Sequence, residues 1–200
     1  MTTGASLARL ERYLAGLPRG LETHPAAQAK GSLVRSILAG QPVPALLERL
    51  PPPLRRLAAD PPVGSEWIPE AQFCGLLLAV ADLRLMSDEE VLAWSRARNR
   101  ALFESPAYRI LMSVMSPGSL VRFAGRRWEN WHRGTSLEIE GAADEGVRAT
   151  LRFPAGLFDG LLLRAFGEAF SAALEMANAA FPRVVVEAEG PESARYLARW

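Results

Sequence analysis

The spacing of apolar residues changes from a helical period to a strand period near residue 135. Upstream, as in Leu7–Leu17, apolar residues recur every three or four positions, which is typical of amphipathic helices. Downstream, apolar and polar residues alternate along Val147–Phe153, the pattern of a half-buried strand. The sequence therefore predicts an α+β fold, with a helical part over 1–134 and a sheet part over 135–200 that fold as one cooperative domain.

Capping and turn residues divide the helical part into separate helices. Hydroxyl side chains and prolines of the kind that start helices predict new helices near Thr23, Trp67, Ser87, Ser105 and Ser116. The helix from Trp67 is apolar nearly all round, which predicts a central, buried position. The helix from Ser116 is predicted to run to a C-cap at Gly134. Its apolar face would carry Leu120, Ala124, Trp128 and Trp131.

The sheet part is predicted to have the element order ββαββ. Alternation over Ser136–Glu140 and Val147–Phe153, with a glycine at each end of the connection, predicts a hairpin. A long helix rich in small residues follows over 156–180. Arg183–Glu189 and Ala194–Trp200 are predicted as the third and fourth strands of an antiparallel sheet packed on that helix.

Composition and charge narrow the classes of partner. An apolar content of 49% is enough for a hydrophobic core, and a net charge of +1 does not suit a polyanion binder. Eight arginines nevertheless lie within Arg96–Arg133, against only Glu104 and Glu129. Because the rest of the chain offsets this bias and no nucleic-acid motif is present, the sequence disfavours nucleic acid as a partner.

The motifs of common catalytic and metal sites are absent from the sequence. The chain has two histidines, His24 and His132, and one cysteine, Cys74, at spacings that form no zinc motif. It has neither a nucleophile elbow nor a phosphate-binding glycine loop. We therefore expect no metal and no cofactor, and the lack of these motifs disfavours enzymatic activity without deciding it. The chain also has no signal-peptide pattern and no apolar run near the about 20 residues of a membrane span, which predicts a cytoplasmic protein.

The segment Arg122–Thr135 combines arginine, tryptophan and histidine at a predicted helix end. Arginine could hold an anionic group and tryptophan could form a stacking wall for an aromatic one. The candidate ligand-binding residues are Arg126, Arg127, Trp128, Trp131, His132 and Arg133. The alternative interpretation is that the tryptophans pack in the core while the arginines pair with Glu138, Glu140 and other carboxylates of the sheet.

Several short motifs resemble a large paralogous family of myxobacterial proteins, a domain of unknown function. They are Lys30-Gly31-Ser32 followed by Arg35, Trp67-Ile68-Pro69-Glu70, Asp88-Glu89-Glu90 with Trp94, Phe103-x-x-Pro106-x-Tyr108-Arg109, Trp128-x-x-Trp131-His132-Arg133-Gly134-Thr135, Leu151-Arg152-Phe153-Pro154 and Trp200. This resemblance implies no catalytic residues. The order of elements is also similar to that of vinyl-reductase-like and haem-NO-binding-like sensor folds, which implies a fold that binds small molecules.

Three functions follow as hypotheses. The first is a non-enzymatic module of sensor type that binds a small, partly apolar or anionic ligand. The second is a protein-interaction or dimerisation module without a small ligand, for which exposed strands would provide the surface. The third is an enzyme of another kind, which would require His132 to lie beside a carboxylate such as Asp144 or Glu138.

Overall fold

The computed structural model describes residues 6–106, 108–109, 115–143 and 146–200. Helices and two antiparallel sheets make up this part of the chain, so the predicted α+β class is confirmed. The chain forms two compact units. Unit 1 runs up to Ser87 and includes Trp131–Gly134, whereas unit 2 comprises Asp88–Asn130 and Thr135–Trp200.

Unit 1 consists of short helices and a three-stranded sheet. Its elements are α1 (Ala8–Ala15), a 3-10 turn (Gly20–Glu22), β1 (Gln28–Lys30), α2 (Gly31–Leu38), α3 (Val43–Leu47), α4 (Pro52–Ala59), β2 (Trp67–Pro69), α5 (Glu70–Leu83) and β3 (His132–Arg133). The strands lie in the order β2-β1-β3, and both pairings are antiparallel.

Helix α5 is the buried centre of unit 1, as its apolar sequence predicts. Twelve of its residues are buried, including the carboxylates of Glu70 and Asp82 near its two ends. Asp82 stabilises the start of α1, because its Oδ2 accepts the N–H groups of Arg9 at 2.8 Å and Leu10 at 3.2 Å. The side chain that precedes α1 provides no cap, so this carboxylate replaces a local N-cap.

The helices predicted from Thr23 and Trp67 begin later than expected. Thr23 does not cap a helix, since its hydroxyl accepts the N–H of Arg19 at 2.9 Å. Residues 28–30 and 67–69 instead pair as strands, with Ala29 opposite Ile68. Antiparallel pairing therefore overrides the local helix-start signals at both places.

Unit 2 consists of helices that accompany a four-stranded sheet. Its elements are α6 (Asp88–Glu104), α7 (Pro117–Arg122), α8 (Ala124–Trp128), β4 (Ser136–Ala143), β5 (Gly146–Arg152), α9 (Gly160–Met176), β6 (Arg183–Glu189) and β7 (Ser193–Arg199). The strand order β4-β5-β7-β6 confirms the predicted antiparallel ββαββ arrangement. The helix predicted from Ser105 falls largely on residues 107 and 110–114, which lie outside the described residues.

Helix α9 begins at a side-chain cap and packs on the sheet. Asp159 Oδ1 accepts the N–H of Leu162 at 2.8 Å, so the helix start is already occupied by a carboxylate. Tyr196, on β7, donates its hydroxyl to the carbonyl of Leu163 at 3.0 Å. Burial raises the pKa of Tyr196, which keeps this hydroxyl protonated and the hydrogen bond intact.

The prediction of one helix from Ser116 through Trp131 to a C-cap at Gly134 is wrong. Ser116 does cap α7, but the helical segment breaks at Phe123 and α8 ends at Trp128. Trp131–Gly134 instead belong to unit 1, where Lys30 donates its N–H to the carbonyl of Trp131 at 2.9 Å and His132–Arg133 pair with β1. Pairing with β1 thus takes Trp131 out of the helix and off the face predicted to hold Trp128.

Candidate ligand-binding site

The structure places the six predicted ligand-binding residues in two different units. Arg126 is exposed, Arg127 half-buried and Trp128 buried in unit 2, whereas the other three belong to unit 1. In unit 1, Trp131 is half-buried, His132 is buried and Arg133 is exposed. Their ligand-binding role stays a prediction.

Trp128 is a core residue of unit 2. Its indole N–H donates to the hydroxyl of Thr135 at 2.9 Å, and its ring packs edge-to-face on Phe166 and Phe170. Only 6% of the residue is exposed, so it offers no stacking wall to a ligand at the surface. For Trp128 the structure agrees with the alternative interpretation of a core tryptophan.

The alternative also expected arginines of 122–133 to pair with Glu138 and Glu140. These two glutamates pair with other arginines instead. Glu138 binds Arg152 at 3.2 Å, and Glu140 lies 3.5 Å from Arg195. Both arginines are in the sheet of unit 2, one on β5 and one on β7. The arginines of 122–133 form none of the ion pairs seen among the described residues.

Strand β3 presents its two residues to opposite faces of the small sheet. Successive side chains of a strand point to opposite faces. His132, opposite Ala29, is therefore on the inner, buried face, and Arg133, opposite Gln28, is on the outer face. The outer face also carries Lys30 and Trp67, which are paired across β1 and β2.

On the outer face, two cations flank one aromatic ring. The guanidinium carbon of Arg133 lies 4.0 Å from the centroid of Trp67, and Lys30 Nζ lies 5.7 Å from it. Within the described part of the chain, neither cation has a carboxylate within ion-pair distance. We name these three residues the Lys30–Trp67–Arg133 cluster.

The chemistry of this cluster suits an anion. A guanidinium stacked on an aromatic ring keeps its N–H groups in a fixed plane, from which they can bind a carboxylate or phosphate with two parallel hydrogen bonds. Lys30, the only lysine among 23 basic residues, adds a second positive charge on the same face. The side-chain amide of Gln28 lies on this face as well and can donate a further hydrogen bond.

On the inner face, His132 is bound to a buried carboxylate. Its Nδ1 lies 3.0 and 3.1 Å from the two carboxylate oxygens of Glu70, and its ring meets Phe73 edge-on at 6.3 Å. A carboxylate oxygen accepts, so Nδ1–H is the donor when this contact is a hydrogen bond to the Glu70 carboxylate. Glu70 is fully buried and His132 is 5% exposed, so the pair sits closed within unit 1.

The His132–Glu70 pair is relevant to the third hypothesis, that the protein is an enzyme with His132 beside a carboxylate. A histidine beside a carboxylate is present, as that hypothesis required, but the carboxylate is Glu70 rather than Asp144 or Glu138. Asp144 lies outside the described residues. A general base must reach a substrate proton within hydrogen-bond distance. The burial of both partners favours a structural role over proton transfer to a bound substrate.

Sequence reasoning found Arg133 and His132 but missed their partners Lys30, Trp67 and Glu70. The one sequence signal for Lys30 is its rarity, since every other basic residue is arginine. Trp67 and Glu70 lie in a motif that indicates a helix start, and their distance from Arg133 along the chain hides the contact.

Within the described residues, no group of three or more metal-ligating side chains comes together. None of the helices in this part of the chain is long and apolar enough to cross a membrane.

Comparison with solved structures finds similarity over most of the chain. An H-NOX protein from K. algicida in the Fe(II) unliganded state matches with a TM-score of 0.58 and 9% identity, over 84% of this chain and 95% of that one. The fold of this chain is similar to that of H-NOX proteins. A mutant of the same H-NOX protein gives a TM-score of 0.58 at 10% identity, again over 84% of this chain and 95% of its own.

A further structure comes from work on how protein-induced porphyrin distortion modulates haem redox potential. It matches with a TM-score of 0.59 and 7% identity, over 85% of this chain and 97% of its own. The predicted similarity to haem-NO-binding-like folds is thus confirmed at the level of the fold.

No family model and no curated protein matches the sequence. The resemblance to a myxobacterial paralogous family therefore has no support from these comparisons.

Proposed function

We propose that this chain is a ligand-binding module of sensor type that binds a small, partly apolar anion at the Lys30–Trp67–Arg133 cluster. The observation that carries the proposal is the outer face of the small sheet. There Arg133 stacks on Trp67 at 4.0 Å, Lys30 lies near the same ring, and no described carboxylate neutralises either cation. The two cations supply charge, and the ring supplies an apolar surface.

The fold supports the sensor part of the proposal. H-NOX structures match 84% of the chain, and the likeness covers 95% of their own length. Because a shared fold does not by itself transfer a ligand, the identity of the ligand has to come from the residues of this chain.

The residues described do not fit a haem whose iron is bound by a buried histidine or thiolate. His132 directs Nδ1 to Glu70, and only 6% of its side chain is exposed. Cys74 is fully buried within α5, among apolar side chains. His24 is only half-buried, in the turn before β1. Since haem iron needs an axial side chain turned toward the macrocycle, we propose an anion that binds without iron.

The exposed edge of the larger sheet is the surface that the dimerisation hypothesis would use. Strand β6 lies at that edge and follows Phe181, which is 98% exposed. However, β6 carries Arg183, Glu187 and Glu189, and its pairing with β7 shifts register between Val186 and Ala188. Edge charges and bulges are devices that block strand addition, so the small-ligand function has the better support.

Replacing Arg133 with Gln should weaken anion binding at least tenfold. The variant keeps a polar side chain but removes a charge-assisted hydrogen bond, which contributes about 1.5–3 kcal/mol. We would measure the Kd of 2-naphthoate, an apolar anion, by isothermal titration calorimetry. Lys30→Gln should also weaken the binding of 2-naphthoate.

The matched control is Arg126→Gln, which removes another exposed arginine, in unit 2. Its Kd for 2-naphthoate should equal that of the unmodified protein. Equal affinity in Arg133→Gln, or equally tight binding of the uncharged 2-naphthalenemethanol, would show that the cluster is not an anion site.

A further inference from the structure

We propose that Glu70 and His132 are positioning residues for the anion site, which act from the opposite face of the sheet. Neither side chain reaches the outer face, yet together they fix the strand that carries Arg133. This inference rests on the proposed function for what Arg133 binds, whereas the positioning of Arg133 itself does not depend on any ligand.

Strand β3 has little backbone pairing of its own. It is two residues long and, among the described residues, pairs with β1 alone, opposite Gln28 and Ala29. One further backbone hydrogen bond joins Lys30 N–H to the carbonyl of Trp131. A strand of two residues at the edge of the sheet has few ladder hydrogen bonds, so side-chain contacts contribute to its anchorage.

The anchorage on the inner face comes from His132. Its Nδ1 lies within hydrogen-bond distance of both oxygens of Glu70. Glu70 is itself fixed, because it is the first residue of α5 and donates its backbone N–H to the carbonyl of Ala27 at 2.9 Å. The carboxylate therefore ties β3 to the central helix and to the residue just before β1.

Successive side chains of β3 point to opposite faces, so the contact that holds His132 on the inner face also restrains Arg133 on the outer face. Arg133 directly follows His132, so a rotation of β3 about its own axis would move both side chains together. Such a rotation would lift the guanidinium off Trp67, from which it now lies 4.0 Å away. Glu70 thereby sets the place of Arg133 without touching the ligand.

The Glu70–His132 pair is not needed for core stability, because apolar residues could fill the same place. Its polarity therefore suggests a different contribution. Replacement of a buried ion pair by apolar residues of similar volume is often neutral or stabilising. The specific contribution of Glu70 and His132 is then directional, since a hydrogen bond fixes an orientation that apolar packing leaves free.

The test follows the stacking of Arg133 directly. In the unmodified protein, the Trp67 ring current should shift the Arg133 Cδ protons upfield in the NMR spectrum, and binding of 2-naphthoate is measured on the same samples. In Glu70→Leu we expect the upfield shift to fall by more than half and the Kd to rise about tenfold, as for loss of one charged contact. Glu70→Gln keeps an acceptor for Nδ1–H, so it should retain most of the shift and a Kd within about threefold.

Two further variants keep the test decisive. Phe73→Leu disturbs the same histidine ring without removing its acceptor, and it should leave the Arg133 shift and the Kd unchanged. Should Glu70→Leu fail to fold, the double variant Glu70→Leu/His132→Leu replaces it with an apolar pair and should also lose the shift.

An unchanged Arg133 shift in the folded Glu70→Leu or double variant would overturn the positioning role, as would an equal change in Phe73→Leu. If the unmodified protein does not bind 2-naphthoate, the proposed function fails, but the ring-current shift still decides the positioning inference.

Discussion

Replacing Glu70 with Ala is expected to lower the free energy of unfolding by about 3–5 kcal/mol, because it leaves a buried hydrogen-bond donor unsatisfied and opens a cavity. Glu70 is fully buried, and both of its oxygens lie within hydrogen-bond distance of His132 Nδ1. The substitution leaves the His132 N–H in the core without its acceptor and creates a cavity beside it. Urea denaturation followed by circular dichroism measures the change.

The size of this effect is large against a typical total stability of about 5–15 kcal/mol. Glu48→Ala is the matched control, because it removes an exposed carboxylate of the same unit and should change stability by less than about 0.5 kcal/mol. A loss below about 1 kcal/mol in Glu70→Ala would mean that the pair contributes no more than a solvent-exposed ion pair does.

Replacing Gly134 with Ala should be the second most damaging change, at about 3 kcal/mol from backbone strain and overpacking together. Gly134 has φ of 70°, and an added Cβ would lie 2.4 Å from the carbonyl oxygen of Ala26. The neighbouring atoms belong to the backbone of Ala26 and Ala27, which cannot move aside as a side chain would. Urea denaturation again gives the free energy of unfolding.

Gly40→Ala separates strain from the steric clash. Gly40 has φ of 71°, but a Cβ there meets no described atom within 4 Å. We expect this control to lose only about 1 kcal/mol, the strain of a left-handed residue with a side chain. If the two glycine variants lose the same stability, the close approach of Gly134 to residues 26 and 27 contributes nothing.

The larger sheet could be predicted from sequence because its signals are local. The alternation in Val147–Phe153 and the neighbouring hairpin residues fix which strands pair, and the glycines and small residues mark the helix that follows. The capping signal at Ser87-Asp88-Glu89-Glu90 likewise gives the start of α6 correctly. Each of these features is decided by residues within a few positions of one another.

The small sheet could not be predicted because its strands are two or three residues long. Three residues show no usable period, and the pairings join Ala29 to Ile68 and His132, which are distant in sequence. At Trp131, helical spacing favoured continuation of a helix, whereas pairing with β1 decided the outcome. Pairings between residues distant in sequence do not alter the local spacing of apolar and polar residues, so that spacing cannot predict them.

The same limit applies to the candidate site. Arg133 and His132 stood out because arginine, tryptophan and histidine cluster in one segment. Their structural partners Trp67, Lys30 and Glu70 are brought to them only by the register of the small sheet. The sequence therefore singled out Arg133, which belongs to the proposed site, but the ring beside it in that site is Trp67 and not the predicted Trp128 or Trp131.

The most direct test of the account is an NMR titration of the unmodified protein with 2-naphthoate. The account predicts saturable shifts of the Trp67 indole N–H and the Arg133 guanidinium N–H, with the Trp128 indole N–H unchanged because it is buried against Thr135. Assignments come from Trp67→Phe and Trp128→Phe. Shifts confined to Trp128 or to other residues of unit 2, with Trp67 and Arg133 unmoved, would contradict the account.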